Sequence, residues 1–165
     1  MKLAKESRQK VVFVATAEAG DAEMSMRIEA HKRSRPKTWQ TIEEPLGLAK
    51  AIKGLPASRR FVIVDCMTLW VSNLLMHYAG ESPTPSKAAK AKVSIQGMTN
   101  YLIDTLAKTE STLLFVSNEV GSGIIPMNAL SRAYAEALGR VNKALADRAD
   151  VVYHMVAGIP VKIKG

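Results

Sequence analysis

The sequence predicts an α/β fold in which a mostly parallel sheet is flanked by helices. Short apolar, β-rich runs alternate along the chain with helix-length patterns: "KVVFVAT" (10 to 16), "RFVIVD" (60 to 65), "STLLFVSN" (111 to 118) and "DVVYHMVA" (150 to 157). These runs lack polar alternation, so both faces of each strand are expected to be buried, as in a parallel sheet covered by helices.

The elements follow in order. "MKLAKES" reads as the closing turns of an amphipathic helix, and the strand over 10 to 16 leads to Thr16 and Glu18. A helix over 21 to 33 places Met24, Ile28 and His31 on one face, a core face by its spacing, with cations in its last turn where the dipole is negative. Further helices are expected over 44 to 53, 66 to 79, 87 to 108 and 128 to 148. "ESPTPSK" (81 to 87) reads as a surface loop, and after a turn at Gly158 "GIPVKIK" makes an edge strand or hairpin partner.

The 165 residues, 47% of them hydrophobic, suit one domain over 1 to 165, with no apolar run long enough to span a bilayer. One cysteine, Cys66, excludes an intramolecular disulfide, and no charged-then-apolar leader opens the chain, so a cytoplasmic location is expected. Residues 1 to 60 hold 13 of the 23 Lys and Arg but 7 of the 15 acids, so most of the +8 charge surrounds the opening stretch. Such a field attracts anions. Nucleic acid is disfavoured as the partner, because aromatics are 5% of the residues and no long basic tract is present.

Each motif has two readings. His31, in "RIEAHKRSRPKTW", is a helix-end residue or a nucleophile set among cations. Asp65 ends an apolar strand, as does the Walker B acid that meets Mg²⁺, or it caps the following helix. "VSNEVGSGIIP" (116 to 126), with Asn118 and Glu119, is an ordinary loop or the rim of a ligand crevice at the carboxyl edge of a sheet. Thr16 and Glu18 in "VATAE" bind a ligand or cap the next segment. His77 and His154 have no metal-ligand spacing, and no base stands near Cys66 in sequence. Nothing matches G-x-x-x-x-G-K-[ST], the loop whose amides hold nucleotide phosphates.

Together, "VATAE…DAEMSMRIEAHKRSRPKTWQTIE", "VIVDCMTLWVSNLL", "SNEVGSGIIP" and "LGRVNKALADRADVVYHMVAGIPVKIK" resemble, in order and over nearly the whole chain, the bifunctional adenosylcobinamide kinase / adenosylcobinamide-phosphate guanylyltransferase family of cobalamin biosynthesis. The resemblance implies a RecA-like P-loop fold, a homotrimer, ATP and GTP as substrates with Mg²⁺, and phosphorylation of adenosylcobinamide followed by GMP transfer through a guanylylated histidine. It places that histidine at His31 and nucleotide contacts at Thr16, Ala17, Glu18, Arg33, Ser34, Arg35, Pro36 and Glu43. Asp65 takes the Walker B and metal-binding position, and Asn118 and Glu119 fall in the active-site loop. Members of the family open with a strand and a G-G-x-R-S-G-K-S loop before a helix ending much like "LAKES". The resemblance therefore implies a chain beginning at that helix end, without the first strand and P-loop.

An imidazole suits the transfer because one ring nitrogen can attack phosphorus while the other is held by a hydrogen bond. Lys32, Arg33 and Arg35 are placed in sequence to neutralise the departing pyrophosphate. Two other readings stay open at this stage: an impaired nucleotide-binding or structural module, and a basic nucleic-acid-binding domain.

Overall fold

A computed structural model describes residues 2 to 56 and 58 to 165. The expected sheet is present with four strands, β1 (Lys10–Ala15), β2 (Gln40–Glu43), β3 (Arg60–Asp65) and β4 (Thr112–Val116). Their order is β2-β1-β3-β4, and every pairing is parallel. In register, Val12 lies beside Val62 and Ala15 beside both Glu43 and Asp65, so the carboxyl ends of β1, β2 and β3 finish level.

The alternation of strand side chains sorts the core into two layers. Val12, Val14, Val62 and Val64 point to one face and pack under α3 (Leu48–Lys53), α4 (Met67–Ala79), α5 (Pro85–Leu106) and α6 (Ala129–Arg148). Trp70, Leu74, Ile95, Leu102 and Leu138 fill this layer and are fully buried. The opposite face, with Val11, Phe13, Ala15, Phe61, Ile63 and half-buried Leu114, has a thinner cover: Ala4 of α1 (Lys2–Glu6) and Trp39.

Helix α2 (Ala22–Ser34) starts where expected, with Asp21 accepting a 2.7 Å bond from the Met24 amide. Its Met24/Ile28 face is only half-buried, and the helix buries no side chain completely. The expected core face therefore belongs to neither layer of the core.

Three other expectations are corrected. The run over 150 to 157 does not join the parallel sheet; β5 (Val152–Val156) pairs antiparallel with β6 (Ile159–Lys164) in a separate ribbon whose apolar side chains are largely exposed. The cause is local, because Ala157 and Gly158 both take positive φ, +50° and +79°, and close a two-residue turn that returns the chain on itself. Residues 44 to 47 are not helical: Glu44 Oε1 accepts from the amides of Leu46 and Gly47, a side-chain turn that delays α3 to Leu48. Strand β2, too short and polar to show as an apolar run, was not anticipated. β4 is one of the sheet's two edge strands, and its side chains are half-buried or exposed rather than enclosed.

Candidate active site

The level ends of β1, β2 and β3 set Thr16, Glu43 and Asp65 along one edge, and the last turn of α2 brings His31 to it. His31 Nδ1 lies 3.8 Å from Asp65 Oδ2, with the imidazole 57% exposed. Asp65 is not a helix cap. The N-cap of α4 is Cys66, without a side-chain bond, which leaves the Asp65 carboxylate to face the site.

Thr16 fixes the floor. Its buried hydroxyl donates to Cys66 O at 2.7 Å and accepts from the Cys66 amide at 2.8 Å, while its own amide donates to Asp65 O. Asn73 Nδ2 on α4 donates to Thr16 O and to Pro45 O, and Trp70 Nε1 donates to Leu46 O. The side chain of Thr16 is thus a clamp on the backbone around Asp65. Ala17 and Glu18 continue outward into solvent.

The cations after His31 divide into different roles. Lys32 is committed: Nζ binds Glu43 Oε1 and Glu29 Oε1, and those bonds, Glu43 first, hold its ammonium above the ordinary lysine value. Arg33 and Ser34 are exposed, and Ser34 Oγ donates to His31 O at 2.8 Å. Arg35 caps the helix through its backbone amide, followed by Pro36, which starts the turn to Trp39. Its guanidinium lies 3.8 Å above the Phe13 ring, and its Nε and Nη1 are buried with no hydrogen-bond partner. Burial pushes the Arg35 value down, against the opposing pull of Asp65 and Glu43, yet a guanidinium stays charged. Two buried donors without acceptors are costly, and an anion's oxygens would satisfy them.

The loop after β4 reaches the same edge from the other side, since Val116 is in register with Asp65. The Asn118 amide donates to Thr68 Oγ1, its carbonyl accepts from Asn142 Nδ2, and Glu119 folds back onto the Gly121 amide. This fixes the loop's base but leaves the Asn118 and Glu119 side chains exposed. Among the described residues no group of three or more His, Cys, Asp or Glu could hold a metal by itself. Mg²⁺, however, asks for only one or two protein carboxylates beside water and substrate phosphates. The partly exposed Asp65 fits that demand.

Phe13, Asn73 and Asn142 were not singled out from the sequence. Asn73 had a visible signal, a lone amide inside the apolar helix "MTLWVSNLLMHYA", whereas Phe13 read as core.

A parallel sheet with an imidazole, a carboxylate and an unsatisfied guanidinium converging at its carboxyl edge belongs to the class of α/β proteins that handle phosphorylated ligands there. Residues 1 to 163 match the family described as cobinamide kinase / cobinamide phosphate guanyltransferase, and the chain belongs to it. The bifunctional adenosylcobalamin biosynthesis protein CobP of Pseudomonas aeruginosa is 38% identical over 164 residues, 99% of this chain and 88% of the relative. Proteins named bifunctional adenosylcobalamin biosynthesis protein CobU, from Escherichia coli and Salmonella typhimurium, are 36% and 37% identical over 93% of this chain and 86% of theirs. The four-stranded parallel sheet is consistent with the P-loop fold of that family.

Proposed function

We propose that this chain, as a single nucleotide-binding domain over residues 1 to 165, phosphorylates adenosylcobinamide and transfers GMP from GTP to the resulting phosphate through a guanylylated His31. The observation that carries the reading is the convergence of exposed His31, Asp65 and the donor-rich Arg35 at one sheet edge in a member of this family. With Nδ1 turned to Asp65, Nε2 is the nitrogen left to attack. Its lone pair forms a bond to the α-phosphorus of GTP as the bond to the β-phosphate oxygen breaks and pyrophosphate departs. The carboxylate of Asp65 stabilises the positive charge that develops on the ring. A phosphate oxygen of adenosylcobinamide phosphate then attacks the same phosphorus, the P–N bond breaks, and His31 is regenerated.

Arg35, with its two free donors, is the residue set to grip phosphate oxygens, and Arg33 adds positive field from the exposed side. Asp65 would hold Mg²⁺, which when bound draws charge from phosphoryl oxygens. Ala17, Glu18, Ser34, Pro36 and Glu43 complete the proposed nucleotide contacts, buried Thr16 acts through its clamp on Cys66, and Asn118 and Glu119 are assigned to the loop on the other side. The proposal includes a homotrimer in the cytoplasm. Exposed Tyr153, Met155, Ile159 and Ile163 on the ribbon supply apolar surface for assembly, and no helix among the described residues is long and apolar enough to cross a membrane.

A second reading is a nucleotide-binding module without transfer activity. Incubation with α-labelled GTP and Mg²⁺ followed by denaturing gels separates the two. It is run on the chain alone and with a G-G-x-R-S-G-K-S strand and loop joined ahead of it. Acid-labile, base-stable label lost in His31→Ala is the expected result. GTP binding without label in either form would overturn the transfer reading in favour of the module.

A further inference from the structure

Phe13 belongs to the floor of the sheet, 3% exposed and packed with Phe61, Ile63 and Ala15. Yet this core side chain meets two of the candidate site residues. The Arg35 guanidinium lies over its face, 3.8 Å from the ring centroid, and the His31 ring meets it edge-on, with centroids 6.4 Å apart and planes at 73°. Helix α2 buries no side chain of its own, so its last turn has little apolar anchorage elsewhere. Arg35 makes no hydrogen bond through Nε or Nη1, so the ring it stacks on is a contact that bears on where those donors stand, beside the pull of Asp65 and Glu43.

We infer that Phe13 is a positioning residue, a single aromatic platform that sets the phosphate-gripping guanidinium of Arg35 and the nucleophilic ring of His31 at a fixed spacing. The inference rests on the transfer reading above. The face of an aromatic ring attracts a cation, most strongly where water is excluded, and its edge-to-face contact favours one orientation of the imidazole. The two attachments are made by one rigid body. Displacing the ring therefore disturbs nucleotide grip and nucleophile alignment together, which an ordinary core residue would not do.

The test compares Phe13→Leu with Phe61→Leu, a matched loss of one buried aromatic from the same layer. In NMR spectra of the chain, protons above a ring face are shielded, so the Arg35 Nε–H signal should be displaced upfield. That displacement should vanish in Phe13→Leu and persist in Phe61→Leu. In labelling with α-labelled GTP below both melting temperatures, Phe13→Leu should raise the half-saturating GTP concentration and lower the limiting rate, each roughly tenfold. Phe61→Leu should leave both within about twofold. In an Arg35→Ala background the effect of Phe13→Leu on half-saturation should disappear, which a merely destabilising change would not produce. An Arg35 signal unmoved by Phe13→Leu, or equal kinetics for the two leucine variants, would overturn the inference while leaving the His31 reading intact. Wild-type protein that binds GTP but never takes up label would remove the reading beneath it.

Discussion

His31 Nδ1 stands 3.8 Å from Asp65 Oδ2, so the proposed nucleophile and the proposed Walker B-like acid, far apart in sequence, occupy one spot at the carboxyl edge of the sheet. That spacing is within ion-pair range but longer than a hydrogen bond. In the proposed mechanism it gives one carboxylate two duties, orienting the imidazole and holding Mg²⁺.

Asp65→Asn keeps the shape and removes the charge. The limiting rate of His31 guanylylation should fall about 100-fold or more, with a smaller change in half-saturating GTP. Time courses of labelling at saturating GTP measure it, and a chelator added to the wild type should have an effect of the same order. A wild-type rate in Asp65→Asn would detach the carboxylate from the chemistry.

Arg35→Lys preserves charge but not the fork of donors or the flat stacking surface. Because two guanidinium donors are free and the plane lies on Phe13, the exchange should weaken GTP binding about tenfold. Titration of GTP by calorimetry reads the change directly, and unchanged affinity would remove Arg35 from the phosphate grip.

Thr16→Val leaves the Cys66 amide without its partner and takes from the Cys66 carbonyl one of its two, the Trp70 amide remaining. The loss should be about 1–3 kcal/mol, while Thr16→Ser, which keeps the hydroxyl, should recover most of it. For a domain of this size each kcal/mol corresponds to about 2–4 °C in melting temperature. Equal melting of the valine and serine variants would show that the clamp contributes little.

Glu136 ties α6 to α5 through Lys92 and also pairs with Arg140 on its own helix. The Lys92 hydrogen bond is the main cause that holds its value below the ordinary 4.5. Its stabilising contribution is therefore complete above about pH 4.5 and is lost as pH falls below that point through the lowered folded value. With the carboxylate 42% exposed, the contribution should stay under about 1 kcal/mol. Denaturant midpoints of wild type and Glu136→Gln should differ at pH 7 and converge in acid. A constant gap across that range would mean the pair is not the source.

The parallel sheet and most helices were legible because long apolar runs and capping residues are local signals. Asn128 caps α6 near its expected start, whereas Thr84 and the proline behind it start α5 at Pro85, inside the run read as the loop over 81 to 87. The ribbon was misplaced because "DVVYHMVA" has the composition of a buried strand, and composition does not say which partner a strand takes. Here the turn decides. Within the candidate site, the family resemblance pointed to His31 and Asp65, but their proximity depends on strand register, which no local pattern encodes. Lys32 looked like a phosphate ligand in sequence, and only the fold shows it paired with Glu29 and Glu43. Phe13 stayed hidden because a residue can be core on one side and platform on the other.

The all-parallel order β2-β1-β3-β4 also bears on how quickly the molecule can assemble. No neighbouring pair in that sheet is joined by a hairpin; Val12 must find Val62 and Ile63 must find Leu114 across intervening helices. The ribbon of β5 and β6, by contrast, closes through two residues and can form in about 1–10 μs. The sheet must bear the loop-closure entropy before burial rewards it, so its formation should govern the main refolding phase, slower by orders of magnitude. The edge that seats His31 beside Asp65 is thus among the last features to exist as a newly made chain folds, and an aggregation-exposed interval precedes it.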